Sequence, residues 1–201
     1  MSKLNLPNRL TLFRLILVPF VVAIIVLPES LIPGRISSLI ALALFIVASV
    51  TDAIDGHIAR SRNLITDFGK FLDPLADKFL VIGVMMALVY RYDSLRSWFF
   101  WVMLVVVFRE LAVTSLRLMI SSGENHIVLA AGKLGKIKTV CQMVCLCAVL
   151  FEPAVYSFAG LEKLAVWPPL TLVFSALTLI FTLWSGIDYF VKYGKYLDSS
   201  K

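Results

Sequence analysis

Apolar residues run along the 201-residue chain in six blocks, at 10–27, 36–50, 71–90, 98–118, 140–151 and 166–190. A helix needs about 20 residues to cross the hydrocarbon of a bilayer, and lipid offers no partner to a stray backbone group. The second and fifth blocks are short and the third carries charges, so their helices must continue into polar sequence. The pattern predicts an all-α chain of six transmembrane helices with short connections, one integral membrane unit over 1–201. Breaks are expected at Pro28 and Pro33-Gly34, around Asn63, and at 91–96, 121–123 and 153–160. No repeat, linker or low-complexity tract interrupts the pattern.

Composition narrows the class. The chain is 60% hydrophobic and only 16% charged, with a mean hydropathy of +0.90. A soluble globule of this size has too much surface to hide so much apolar side chain, and a disordered chain is excluded for the same reason. Lys3, Arg9 and Arg14 precede the apolar run that fills the rest of the first block, but no small-residue cleavage site follows it, so it reads as a span and not as a removable leader. Cys141, Cys145 and Cys147 share one apolar block and suggest no disulfide framework. His57 and His126 are too few for a His-built zinc site.

Charge placement sets the expected orientation. With the N-terminus inside, all of the 19 Lys and Arg except Arg35, Arg91, Arg96 and Lys163 fall on one side. The positive-inside rule then puts both termini and the basic belt in the cytoplasm. Anionic headgroups account for the net charge of +6, so no nucleic acid is required. Trp98, Trp101 and Trp167 suit an outer aromatic belt and Trp184 the inner half of the membrane.

Candidate chemistry concentrates between the second and third blocks. Asp52 and Asp55 lie three apart and Asp73 and Asp77 four apart, so each pair shares a helix face. A short polar reversal at 61–67 would make the two helices antiparallel and aim four carboxylates at one point. Such a cluster at a membrane edge repels itself and demands a cation. With no His or Cys cluster near, the oxygen donors suit Mg²⁺ or Mn²⁺, and two ions would use all four acids. The competing reading pairs the acids with Arg60, Arg62, Lys70 and Lys78. Gly56, Ala59 and Gly69 form small faces that admit a ligand or simply a neighbouring helix. Arg60 reaches either a phosphate or the headgroup layer. His57 has no evident partner, and Pro74 would kink the third helix between its two acids.

This segment resembles the signature of the CDP-alcohol phosphotransferase family of membrane enzymes. Asp52, Asp55, Gly56, Ala59, Arg60, Gly69, Asp73 and Asp77 match it at all eight positions within 26 residues. Further blocks at 5–14, 72–78, 109–117, 132–139 and 184–189 are similar to the bacterial phosphatidylglycerophosphate synthase branch. The resemblance implies six transmembrane helices, a homodimer, and an active site open to the cytoplasmic leaflet of the bacterial inner membrane. It implies transfer of the phosphatidyl group of CDP-diacylglycerol to sn-glycerol 3-phosphate, releasing CMP. The four aspartates would hold the divalent metal, with Asp77 as general base. Residues at Gly56, Ala59, Arg60 and Gly69 would line the CDP portion, with Asn8, Thr11 and Arg14 near the nucleotide.

A phosphorylated acceptor needs cations besides the metal, and Arg109, Arg117, Lys133 and Lys136 are the candidates. Arg109 follows four apolar residues and sits deeper than a headgroup anchor, so it needs Glu110, another carboxylate or a bound anion. It is offset from Arg117 by about 80° on a helical wheel, close enough to share a cavity. For Lys133 and Lys136 plain inside-positive anchoring is as good an account. Asp188 would pair with a pocket cation, cap its helix or face the interface. Related enzymes acting on inositol phosphate, serine or phosphatidylglycerol remain alternatives, because the acid signature does not choose the acceptor. A divalent-cation transporter would need its acids near mid-membrane, and a scaffold would leave them unneutralised.

Overall fold

The computed structural model describes residues 5–61, 66–122, 132–161, 164 and 168–194, without the side chains of 53, 55–61, 67, 70, 121 and 122. Six long helices carry the fold: α1 (Leu6–Val26), α2 (Gly34–Ser61), α3 (Asp67–Arg91), α5 (Phe99–Ser122), α6 (Lys133–Phe158) and α7 (Pro169–Tyr193). A single turn, α4 (Asp93–Arg96), lies between α3 and α5 and buries Leu95. No strand occurs among the described residues.

The helices start where the sequence supplies caps. Asn5 accepts from the Asn8 N–H at 3.2 Å ahead of Pro7 in the first turn of α1. Thr66 accepts from the Gly69 N–H at 3.1 Å to open α3. Such caps satisfy backbone donors that a helix start leaves free. α7 has only prolines at its start and no cap of its own. Its donors are met from α6: buried Glu152 accepts from the N–H groups of Leu170 at 3.0 Å and Thr171 at 2.6 Å.

Packing follows one stripe on α1. Asn8, Thr11, Arg14, Val18, Val21 and Ile25 recur at steps of three and four, and all are buried. The apolar half of the stripe enters the main core with Phe45 of α2, Leu80, Val84 and Leu88 of α3, Val106 of α5 and Leu146 and Val149 of α6. α1 lies along both α2 and α3, α6 pairs with α7 and α2, and α5 packs chiefly on α7. The polar half of the α1 stripe therefore ends where α2 finishes and α3 begins.

Five helices are long and apolar enough to cross a membrane: α1, α2 as far as Asp52, α5 as far as Ile120, α6 and α7. α3 matches them in length, but Asp73, Asp77 and Lys78 occupy its first half and leave one apolar stretch at 79–90. The helices α2, α3 and α6 do run on into polar sequence, as their short or charged blocks required. One expected break is corrected. α6 continues through Pro153 to Phe158, and the turn comes at Gly160, whose φ of +69° suits glycine. Pro153 forfeits one helical hydrogen bond, but buried Ala154 and the Tyr156 hydroxyl on Glu152 at 3.1 Å hold the next turn in place.

Candidate active site

The polar end of the α1 stripe meets the acids. Arg14, with no exposed surface, places Nη1 2.6 Å from Oδ1 of Asp52 near the end of α2. Thr11 Oγ1 donates to Oδ1 of Asp73 on α3 at 2.7 Å. Asn8 Nδ2 donates to the Thr66 hydroxyl at 3.0 Å. Gly69 allows this closeness, since a Cβ there would lie 2.8 Å from Asn8 Oδ1 and 3.2 Å from Thr66 Oγ1. The signature's first and third acids are thus each tethered to α1. Asp55, Gly56, Ala59, Arg60 and His57 belong to the part of α2 whose side chains lie outside the described residues.

Asp52, Asp73 and Asp77 together bring more negative charge than Arg14 offsets, and all their donors are oxygens. That chemistry fits a hard divalent cation. Among the described residues no three acids are close enough together to hold a metal on their own.

Beside the acids lies a cavity of about 300 Å³ between α3, α5, α6 and α7. Asp77 forms part of its wall with Glu110 and Lys138, and the charges acting on Asp77 include these two together with Asp52 and Arg14. Lys78, Arg109, Arg117 and Lys138 also line it. Oε1 of Glu110 accepts from both Lys138 Nζ and Arg109 Nη1, the latter at 3.3 Å. Lys78 Nζ donates to the Thr114 hydroxyl, which donates in turn to the Glu110 carbonyl at 2.7 Å. The stem of Arg109 crosses α7 at Gly186, where a Cβ would stand 3.3 Å from Arg109 Cγ. Four cations against the carboxylates of Glu110 and Asp188 leave the wall positive away from Asp77. It is built to receive an anion.

A family model for CDP-alcohol phosphatidyltransferase matches residues 4–184, which takes in the four signature acids and the cavity-wall residues of α3, α5 and α6. The chain belongs to the CDP-alcohol phosphatidyltransferase family. It is 40% identical to the CDP-diacylglycerol–glycerol-3-phosphate 3-phosphatidyltransferase of Bacillus subtilis, over 98% of each chain. It is similar to enzymes of the same name from Escherichia coli K12 at 38% and Salmonella typhimurium at 36%, each over 92% of both chains. CDP-alcohol phosphatidyltransferases generally depend on a divalent metal ion. The chain is a multi-pass membrane protein of this family.

Within this family member the sequence-selected cations separate. Arg109 and Arg117 reach the cavity; Lys133 and Lys136 are exposed and off its wall. The α6 lysine that enters is Lys138, only 3% exposed. Helical phase decides this, because Lys138 and Gln142 continue the buried line of Cys145 and Val149 while Lys133 and Lys136 point elsewhere. That line was visible in the sequence as steps of four, three and four running from the apolar block into GKIKT. Glu110 was expected only as a partner for Arg109, and its bond to Lys138 had no local signal. Asp188 lines the cavity but pairs with Lys192, one turn on, at 2.8 Å. Cys145 is buried against Ser175 at 3.2 Å, a packing contact of α6 on α7.

Proposed function

We infer that this chain transfers the phosphatidyl group of CDP-diacylglycerol to sn-glycerol 3-phosphate, giving phosphatidylglycerophosphate and CMP. The observation that carries this reading is the position of Asp77, which belongs both to the acid-bearing helix ends and to the wall of the cation-lined cavity. A donor that needs metal and an acceptor that carries phosphate would meet there. The bacterial relatives bear the name of that reaction over nearly their whole length.

Asp52, Asp55, Asp73 and Asp77 would hold Mg²⁺ or Mn²⁺, two ions serving the four acids. Bound there, the metal supplies positive charge to the diphosphate and to the departing CMP. Arg14 and Thr11 keep Asp52 and Asp73 oriented, and Asn8 with Gly69 fixes the floor on which the cytidine diphosphate rests beside Gly56, Ala59 and Arg60. Arg109, Arg117 and Lys138 take the acceptor's phosphate. Its primary hydroxyl then faces Asp77 and attacks the lipid-bearing phosphorus. A new oxygen–phosphorus bond forms, the bond to CMP breaks, and the proton passes to a carboxylate oxygen of Asp77. Orientation of both partners in one cavity is itself a large part of the rate enhancement.

The basic belt supports a cytoplasmic location for this site and both termini at the bacterial inner membrane, and the family resemblance supports a homodimer. The test offers CDP-diacylglycerol and Mg²⁺ with glycerol 3-phosphate, inositol phosphate, serine or phosphatidylglycerol, and measures CMP and lipid product. Glycerol 3-phosphate is expected to give the fastest CMP release. Faster release with another acceptor, or none with this one, would overturn the assignment.

A further inference from the structure

One wall residue of the cavity has no role in the chemistry above. Tyr189 on α7 lines the cavity and is only 7% exposed. Its ring is fixed against Val113, Leu116 and Ile120 of α5 and against Tyr193, with ring centres 4.7 Å apart. The hydroxyl is buried and has no hydrogen-bond partner among the described residues. A buried tyrosine hydroxyl almost always has one, and leaving it unmade costs desolvation. The α5 side of the ring is aliphatic and offers none. Polar neighbours on the wall are engaged elsewhere: Ser185 donates to the Thr182 carbonyl at 3.2 Å, and Asp188 accepts from Lys192.

We propose that Tyr189 is a specificity residue whose hydroxyl binds the free secondary hydroxyl of the acceptor. The inference rests on the reading that a glycerol phosphate occupies this cavity. Of the acceptor's three polar groups, the phosphate matches Arg109, Arg117 and Lys138, and the attacking primary hydroxyl matches Asp77. The C2 hydroxyl remains, neutral and able to donate or accept, and a phenol held rigid by packing is its counterpart. Binding through such a preset group discriminates against acceptors that lack the hydroxyl.

The experiment compares glycerol 3-phosphate with 3-hydroxypropyl phosphate, which lacks only the C2 hydroxyl, using the full-length enzyme and Tyr189→Phe. The unaltered enzyme is expected to favour glycerol 3-phosphate by about tenfold in kcat/KM, the value of one neutral hydrogen bond. Tyr189→Phe should lose about that factor on glycerol 3-phosphate and stay within about twofold on the analogue, so that the preference disappears. Equal losses on both acceptors would mean a packing role only and overturn the proposal. Indifference of the unaltered enzyme to the C2 hydroxyl would overturn it as well, and that arm stands even if Tyr189→Phe fails to fold. Absence of CMP release from the unaltered enzyme with glycerol 3-phosphate would instead remove the parent reading, and this one with it.

Discussion

Two glutamates at different places in the bundle, Glu152 buried and Glu110 half-buried, have opposite surroundings. Glu152 of α6 accepts from the Leu170 and Thr171 N–H groups and the Tyr156 hydroxyl, all neutral donors that the fold itself supplies. Glu110 of α5 accepts from two cations on one oxygen, at the edge of an open cavity. A charge inside a membrane helix invites a functional reading. The contrast shows what decides the matter. Where backbone donors meet the carboxylate, it fastens one helix to the start of the next. Where cations outnumber it around a void, positive charge is left facing the opening, which suits an anion.

Substitutions that sharpen or break this contrast span a wide range of effect. Asp77→Asn should lower kcat for CMP release about a thousandfold, within the range expected for losing a general base, while cytidine nucleotide with metal still stabilises the protein thermally. Near-normal kcat would remove Asp77 from the base role. Glu152→Ala strands three donors and should cost about 3 kcal/mol of stability, read as an earlier unfolding midpoint in detergent. Its folded fraction should keep both KM values; an altered acceptor KM at normal stability would erase the distinction between the two glutamates.

Arg109→Ala should raise KM for glycerol 3-phosphate about tenfold or more, as loss of a charged hydrogen bond does, with a smaller change for CDP-diacylglycerol. The reverse order would take the phosphate away from Arg109. Gly69→Ala forces Asn8 off Thr66 and should cost about 1 kcal/mol, with weaker stabilisation by cytidine nucleotide. Unchanged nucleotide affinity would separate that contact from the donor site. Smallest of all, Lys133→Ala should leave the acceptor KM within about twofold, as exposed substitutions do. A larger rise would bring this exposed lysine into the acceptor's reach.

Much of this architecture was readable from the chain because membrane helices announce themselves by length and apolarity. Asp73 and Asp77 were visible too, one helical turn apart, and Asp52 through its three-residue spacing from Asp55. Lys138 was harder to pick from Lys133 and Lys136, because three lysines in six residues differ only in helical phase. That phase is set by the packing of α6 on α2 and α7. Glu152 left little trace: two of its three donors are backbone groups 18 and 19 residues away. Pro153 misled about the end of α6 because the tertiary contacts around it outweigh a missing hydrogen bond.

The charged first half of α3 also bears on biogenesis. With Asp73, Asp77 and Lys78 in its opening turns and one apolar stretch behind them, α3 partitions poorly into lipid by itself. Its most extensive neighbour is α1, which leaves the ribosome earlier and offers Thr11 to Asp73. Insertion of α3 is therefore expected to depend on α1 already lying in the bilayer beside it. The residues proposed to do the chemistry enter the membrane escorted.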